Sequence, residues 1–144
     1  NKNLYLYKID NKTPFRVALW DFDHSFGRDG DNEKNLMERP LGLSSSLLFT
    51  RLRDHERLLF NEKIKDRWLE LRRKNIFSYS SINRMISQNI WLILPYIKEN
   101  EKLWPYNSPD YFDDNDFFEE IDLLRNFIKT RLSDLDELFC YQEN

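Results

Sequence analysis

The chain has 144 residues, with 22 basic and 25 acidic side chains and a formal net charge of −3. This length fits one domain with a core of its own, and the mild acidity argues against contact with nucleic acid or with a membrane surface. The single cysteine, Cys140, excludes an internal disulfide. No apolar run approaches the roughly 18 residues of a membrane-spanning helix, no signal segment is visible, and the sequence assigns no compartment.

A β-hairpin is predicted at the start of the chain, with strands over about 3–9 and 15–20. Residues 4–9 are rich in strand formers, residues 10–14 have turn chemistry, and apolar side chains alternate from residue 15 onward. A five-residue loop flanked by Ile9 and Phe15 would set the register. The predicted cross-strand pairs are Ile9 with Phe15, Tyr7 with Val17, Tyr5 with Leu19 and Asn3 with Asp21.

The end of this hairpin carries the candidate metal ligands Asn3, Asp21 and Asp23. Period-2 alternation places both carboxylates on one face of the second strand, and the predicted register brings the amide of Asn3 beside them. Magnesium prefers a few oxygen ligands of this kind, completed by waters and substrate phosphates. The alternative from spacing alone is that the acids are turn formers or solvated residues at a strand end.

These residues also carry a family resemblance. Asn-Leu-Tyr-Leu-Tyr at 3–7, followed by Leu-Trp-Asp-Phe-Asp-His-Ser-Phe-Gly at 19–27, resembles the core of the spore coat protein H (CotH) kinase family. Similar spacing continues at Leu48 to Leu52, Phe60, 67–71, 103–105, 127–131, Leu135 and Leu138. The resemblance covers nearly the whole chain, and only the first 27 residues contain a chemically specific motif.

The resemblance implies an atypical protein-kinase-like fold that transfers phosphate from ATP to serine or threonine of coat proteins. In kinases a catalytic-loop Asn and the Asp that opens the Asp-Phe-Gly segment hold magnesium on the nucleotide phosphates. By resemblance Asn3 matches the first and Asp21 the second. Both residues are therefore expected to bind the ATP cofactor, and Asp21 is expected to be the catalytic residue. Asp23 is expected to be a further acid around magnesium or manganese.

One departure from the kinase pattern shapes the expected domain organisation. Kinase chemistry needs a catalytic Asp a few positions before the metal-binding Asn, and only Asn1 and Lys2 precede Asn3. With 3 glycines in the chain, no Gly-rich phosphate loop follows a strand.

Residues 1–144 are therefore expected to form one domain, the C-terminal lobe of a larger kinase. This lobe would be inactive alone and would partner an N-terminal lobe and a protein substrate. The alternative is a non-catalytic helical interaction module with kinase-like architecture.

Residues 28–43 form a polar loop at the position of a kinase activation loop, and a plain surface connection is the alternative. An EF-hand calcium loop is rejected because that template needs Gly at position six and Glu at position twelve. Counted from Asp21 these positions hold Phe26 and Asn32, and counted from Asp29 they hold Lys34 and Pro40.

The rest of the chain is predicted to be helical, which gives an α+β, mainly α fold with a bundle of four or five helices over about 44–139. Residues 44–46 can cap a short helix to Arg53, and Asp54 can cap a longer one to about Lys74. This second helix carries an apolar stripe, with its arginines on the solvated or lobe-facing side. The stripe is Phe60, Ile64, Trp68 and Leu71, and the arginines are Arg67, Arg72 and Arg73.

Two further helices follow. One begins at Ser80 or Ser81 and is apolar all round, which predicts a central helix, broken near 91–95 by Pro95. After a proline-rich linker at 104–110, a last helix over 116–139 carries a continuous apolar stripe of Phe117, Ile121, Leu124, Ile128, Leu132 and Leu135. The acids before it (Asp113, Asp114 and Asp116) are interpreted as helix caps rather than as a cation site.

Overall fold

A computed structural model describes residues 4–22, 26–27, 47–105 and 115–142. Its elements in chain order are β1 (Leu4–Tyr7), β2 (Arg16–Leu19), α1 (Leu47–Asp54), α2 (Phe60–Arg73), α3 (Tyr79–Ile93), α4 (Ile97–Leu103) and α5 (Phe117–Phe139). Short 3-10 turns lie before α2 (Glu56–Leu58) and between α3 and α4 (Leu94–Tyr96). The two strands pair antiparallel, and the predicted class, a mainly helical fold after an N-terminal hairpin, is confirmed.

A capping box fixes where α5 begins. Asp116 accepts hydrogen bonds from the backbone N–H groups of Phe118 and Glu119, while the Glu119 carboxylate accepts one from the Asp116 N–H. This capping box satisfies N–H groups that the helix itself leaves free, and it confirms the capping role predicted for Asp116. Asp113 and Asp114 lie outside the described residues.

The predicted start of α3 is off by one or two residues, and the predicted start of α2 is off by about five. Ser78, not Ser80 or Ser81, caps α3, because its hydroxyl accepts the backbone N–H of Ser81 at 3.1 Å. Asp54 is the last residue of α1 and does not cap α2, which instead follows the 3-10 turn and Leu59 in a left-handed conformation (φ 48°). The sequence between α1 and α2 thus uses a tight backbone turn where a side-chain cap was expected.

The break at Pro95 is confirmed, whereas the prediction that α3 is the central helix is wrong. The helix ends at Ile93, and a 3-10 turn containing Pro95 leads into α4. Trp91 is 76% exposed and Leu92 is 68% exposed, and no residue of α3 is buried. The side of α3 that carries Ile82 and Ile86 packs against the core, where α3 contacts α5.

The core instead forms where α2 meets α5. Trp68 of α2 packs with three buried residues of α5, namely Phe127, Ile128 and Leu132. Tyr79 of α3 and Phe139 of α5 are half-buried against this cluster. The long α5 is therefore the helix on which α2 and α3 assemble.

A buried ion pair lies beside this core and corrects the prediction for Arg72. Its guanidinium is buried and donates to the Asp136 carboxylate at 2.7 Å and to the Phe77 carbonyl at 2.5 Å. The indole N–H of Trp68 donates to the other oxygen of Asp136 at 2.9 Å. The prediction that Arg72 lies on a solvated face is wrong because a carboxylate on α5 draws it inward.

Within the described ranges, no helix is both long enough and apolar enough to cross a membrane.

Candidate functional site

The hairpin pairs in a register shifted by one residue from the predicted one. The observed pairs are Leu4 with Leu19, Tyr5 with Ala18, Leu6 with Val17 and Tyr7 with Arg16. A one-residue slip exchanges the faces of one strand relative to the other. The observed register therefore gives no support to a pairing of Asn3 with Asp21, and Asn3 itself lies outside the described residues.

The turn explains the shift. One carboxylate oxygen of Asp10 accepts the backbone N–H groups of Lys12 and Thr13 at 2.7 and 2.8 Å. The Thr13 hydroxyl accepts the Asp10 N–H and donates back to the Asp10 carbonyl. This reciprocal Asx-type turn lies inside a connection that runs over residues 8–15, longer than the predicted loop of residues 10–14.

Strand β2 ends at Leu19, two residues before the predicted metal ligand Asp21. Asp21 has a positive φ of 61°, so the period-2 alternation that was expected to continue through Asp23 stops here. Asp and Asn are among the few residues that adopt this left-handed conformation readily. The Asp21 side chain is exposed, while Asp23 lies outside the described residues, as does the loop at 28–43.

The segment that follows Asp21 returns to the helical core at Gly27. Gly27 is buried and has a φ of 88°. A β-carbon built on it would lie 2.7 and 2.8 Å from two ring carbons of Phe127 on α5. Both the positive φ and the short distance to the Phe127 ring require glycine at this position. Gly27 therefore packs the chain that follows Asp21 against Phe127, a core residue near the centre of α5.

The donor chemistry of the described part of the site fits a hard cation. A carboxylate such as that of Asp21 is a ligand type that magnesium and manganese accept. Among the residues that the structure describes, no group of three His, Cys, Asp or Glu side chains is placed to hold a metal ion. Asn3 and Asp23 lie outside the described residues, and the predicted set of Asn3, Asp21 and Asp23 stays a prediction.

The hairpin also exposes a continuous aliphatic face. Cross-strand pairing places Leu6 beside Val17, and Leu19 lies two residues further along the same face of β2. Their exposed fractions are 46%, 54% and 68%. The opposite face carries Tyr5 and Tyr7, which are exposed as well. A two-stranded sheet with apolar side chains in solvent on both faces is typical of a surface that contacts another polypeptide.

Comparison with known proteins decides the family. A family model described as CotH kinase protein matches residues 1–135. The chain belongs to the CotH kinase family. No curated protein and no solved structure matches it significantly. The CotH match includes the hairpin, the Asp21 segment and nearly all of α5, so the elements that the structure joins at Gly27 and Phe127 belong to one family domain.

Two contributions to this CotH site were missed by the sequence reasoning. Phe127 was not part of the apolar stripe predicted for α5, although it lies three residues after Leu124, which was. Gly27 was identified only as the last residue of the motif at 19–27, and its packing was not predicted. The Phe-Gly pair at 26–27, three residues after Asp23, was the signal available, because a glycine there points to a close approach of the backbone.

Proposed function

We propose that this chain provides the metal-binding part of a phosphotransfer site in a CotH kinase, which transfers phosphate from ATP to serine or threonine of a protein substrate. The observation that supports this most directly is the exposed carboxylate of Asp21 in a left-handed turn just after β2. Family membership supports a kinase-like protein, and Gly27 connects the Asp21 segment to the core. Gly27 thus anchors the chain that follows the Asp21 carboxylate to the core.

The chemical role proposed for the chain is to hold a metal ion. When bound, magnesium or manganese neutralises charge on the nucleotide phosphates during transfer. Asp21 would hold the metal through its carboxylate, with Asn3 and Asp23 as the further oxygen donors. Asp21 adopts its left-handed backbone conformation just after β2, and its side chain is exposed at this end of the hairpin.

We further propose that the chain is the C-terminal lobe of the kinase and that the aliphatic face of the hairpin contacts the nucleotide-binding lobe. Leu6, Val17 and Leu19 support this because they are apolar, adjacent and exposed. Burying such a face removes apolar area from water at roughly 25 cal/mol per Å². The same exposed face supports a second candidate function, a non-catalytic module that binds another protein through its hairpin.

The metal assignment is tested by paramagnetic broadening of amide NMR signals with Mn²⁺, which detects weak binding. We expect broadening at residues 20–22 in the wild type and its loss in Asp21→Asn. Asn is the appropriate substitution because it tolerates the left-handed conformation and removes only the charge. Asp66→Asn, on the exposed side of α2, is the matched control and should leave the broadening unchanged. Broadening that persists in Asp21→Asn would show that the metal binds elsewhere.

The activity is tested in the full-length protein that contains this chain, with labelled ATP and a serine- and threonine-rich acceptor protein. We expect Asp21→Asn to lower the transfer rate by at least about 100-fold, the range seen when an electrostatic group at a reacting centre is removed. Asp66→Asn should retain the wild-type rate. Transfer that is unaffected by Asp21→Asn contradicts the proposed role, and a wild-type protein that transfers no phosphate favours the non-catalytic module.

A further inference from the structure

A second concave surface lies between the α3–α4 bend and the start of α5, and it shares no residue with the hairpin. This groove has a volume of about 500 Å³, which is in the range of sites that hold one or two large side chains. Its half-buried apolar residues are Ile97 of α4 and Phe117 of α5. Tyr96 and Trp104 stand at its rim, 65% and 68% exposed.

The charged groups of the groove are all acidic. Glu101, Asp116 and Glu120 line it, together with the amides of Asn100 and Asn115, and no lysine or arginine is among its described lining residues. Asp116 is engaged in the cap of α5, and Asn115 donates to the Glu120 carboxylate at 2.9 Å. Glu101, on α4, adds a third carboxylate to the groove.

The side of α4 that lines the groove carries no cation. The lining residues are Ile97, Asn100 and Glu101, with Trp104 directly after the helix, while Lys98, Glu99 and Lys102 do not line the groove. Lys98 and Lys102 therefore do not neutralise the carboxylates that line the groove. A groove of this composition favours a ligand that is both cationic and apolar, and it disfavours an acidic one by like-charge repulsion.

We propose that this groove binds an arginine-containing apolar segment of a partner protein. Arginine fits better than lysine because a planar guanidinium stacks on exposed aromatic rings and pairs with carboxylates through two parallel hydrogen bonds. Trp104 and Tyr96 offer the rings, Glu101 offers the carboxylate, and Ile97 and Phe117 receive a neighbouring aliphatic side chain of the segment. The proposal stands independently of the metal site at Asp21.

The test measures fluorescence anisotropy of a labelled peptide, Gly-Ser-Arg-Leu-Arg-Leu-Gly-Ser, titrated with the full chain. We expect saturable binding that weakens at least about tenfold when arginine is replaced by citrulline, which keeps the shape and removes the charge. The lysine version should bind at least about threefold more weakly than the arginine version.

Two matched pairs of variants separate the groove from general surface charge. Glu101→Gln should weaken binding, and Glu99→Gln, a substitution at an exposed residue of the same helix, should not. Trp104→Ala should weaken binding at least about fivefold, and Trp91→Ala, at an even more exposed tryptophan outside the groove, should not.

Any of three results overturns the proposal. These are equal losses in the two members of either pair, equal binding of the arginine and citrulline peptides, and no saturable binding to the wild type. The last would include a groove filled by residues 106–114 of the chain itself, which join its two walls and lie outside the described residues.

Discussion

Replacing Gly27 with alanine tests whether the segment after Asp21 is fastened to the helical core. The added methyl group would meet the Phe127 ring at 2.7 and 2.8 Å, whereas carbon atoms in ordinary contact lie about 3.5–4.0 Å apart. Either the ring or the segment must then move by close to 1 Å. Because Phe127 is one of the buried core residues, neither movement is confined to the surface.

The expected cost has two parts. A non-glycine residue at a φ of 88° is destabilised by about 1–2 kcal/mol relative to glycine. Overpacking of a well-filled site adds about 1–3 kcal/mol. Gly27→Ala should therefore lower the free energy of unfolding by about 2–5 kcal/mol, a large part of the 5–15 kcal/mol that is typical of a domain.

Urea unfolding followed by circular dichroism measures the loss, and a double-mutant cycle identifies its origin. Phe127→Ala removes the two ring carbons that clash, so the double variant should be less destabilised than the sum of the single variants by about 1–3 kcal/mol. An unchanged unfolding midpoint in Gly27→Ala, or strict additivity in the cycle, would refute the proposed packing of Gly27 on Phe127.

Three further predictions concern the helices. Asp136→Ala should destabilise the chain by about 3–5 kcal/mol in urea unfolding because it leaves the buried Arg72 charge without its carboxylate; a loss below about 1 kcal/mol would contradict this. Asp116→Ala should cost about 1 kcal/mol through the lost cap of α5, with Asp122→Ala on the exposed side of that helix as a control that costs less. The pKa of Glu70 is held below its ordinary value first by a hydrogen bond from Lys74 and then by its neighbour Arg67. The Glu70 carboxylate therefore stabilises α2 at pH values above its unfolded pKa of about 4.3, and this contribution is lost as the pH falls through the lower folded pKa. Glu70→Gln should narrow the difference in unfolding free energy between pH 7 and pH 3. An unchanged difference would argue against this role of Glu70.

The sequence was sufficient for the element types and for the break at Pro95. Period-2 alternation around residues 4–19 and the apolar stripes of α2 and α5 are local signals, and each produced the expected element. The register of the hairpin was not predictable in the same way. It depends on a turn closed by Asp10 and Thr13, and a difference of one residue in that turn exchanges the faces.

Long-range pairing accounts for the other errors. Arg72 is buried because it meets Asp136, 64 residues later in the chain, and nothing near Arg72 in the sequence announces that partner. The apolar surface of α3 was expected in the core because an apolar composition indicates that a helix is buried. Composition does not indicate which other element packs against that surface. For the candidate site, Asp21 could be singled out from the sequence, while its left-handed backbone and the residue against which Gly27 packs could not.

The folded core has a consequence for identifying what this protein binds. Four hydrophobic residues of the described ranges are buried, namely Trp68, Phe127, Ile128 and Leu132, and a partner that binds the folded chain adds to the stability that they provide. By mass action, a partner that binds only the folded chain and is present at 100 times its Kd adds about 2.7 kcal/mol of stability. Such an increment should shift the thermal midpoint by several degrees. Melting curves recorded against panels of nucleotides, metals and basic peptides can therefore identify ligands of this chain before any activity is known.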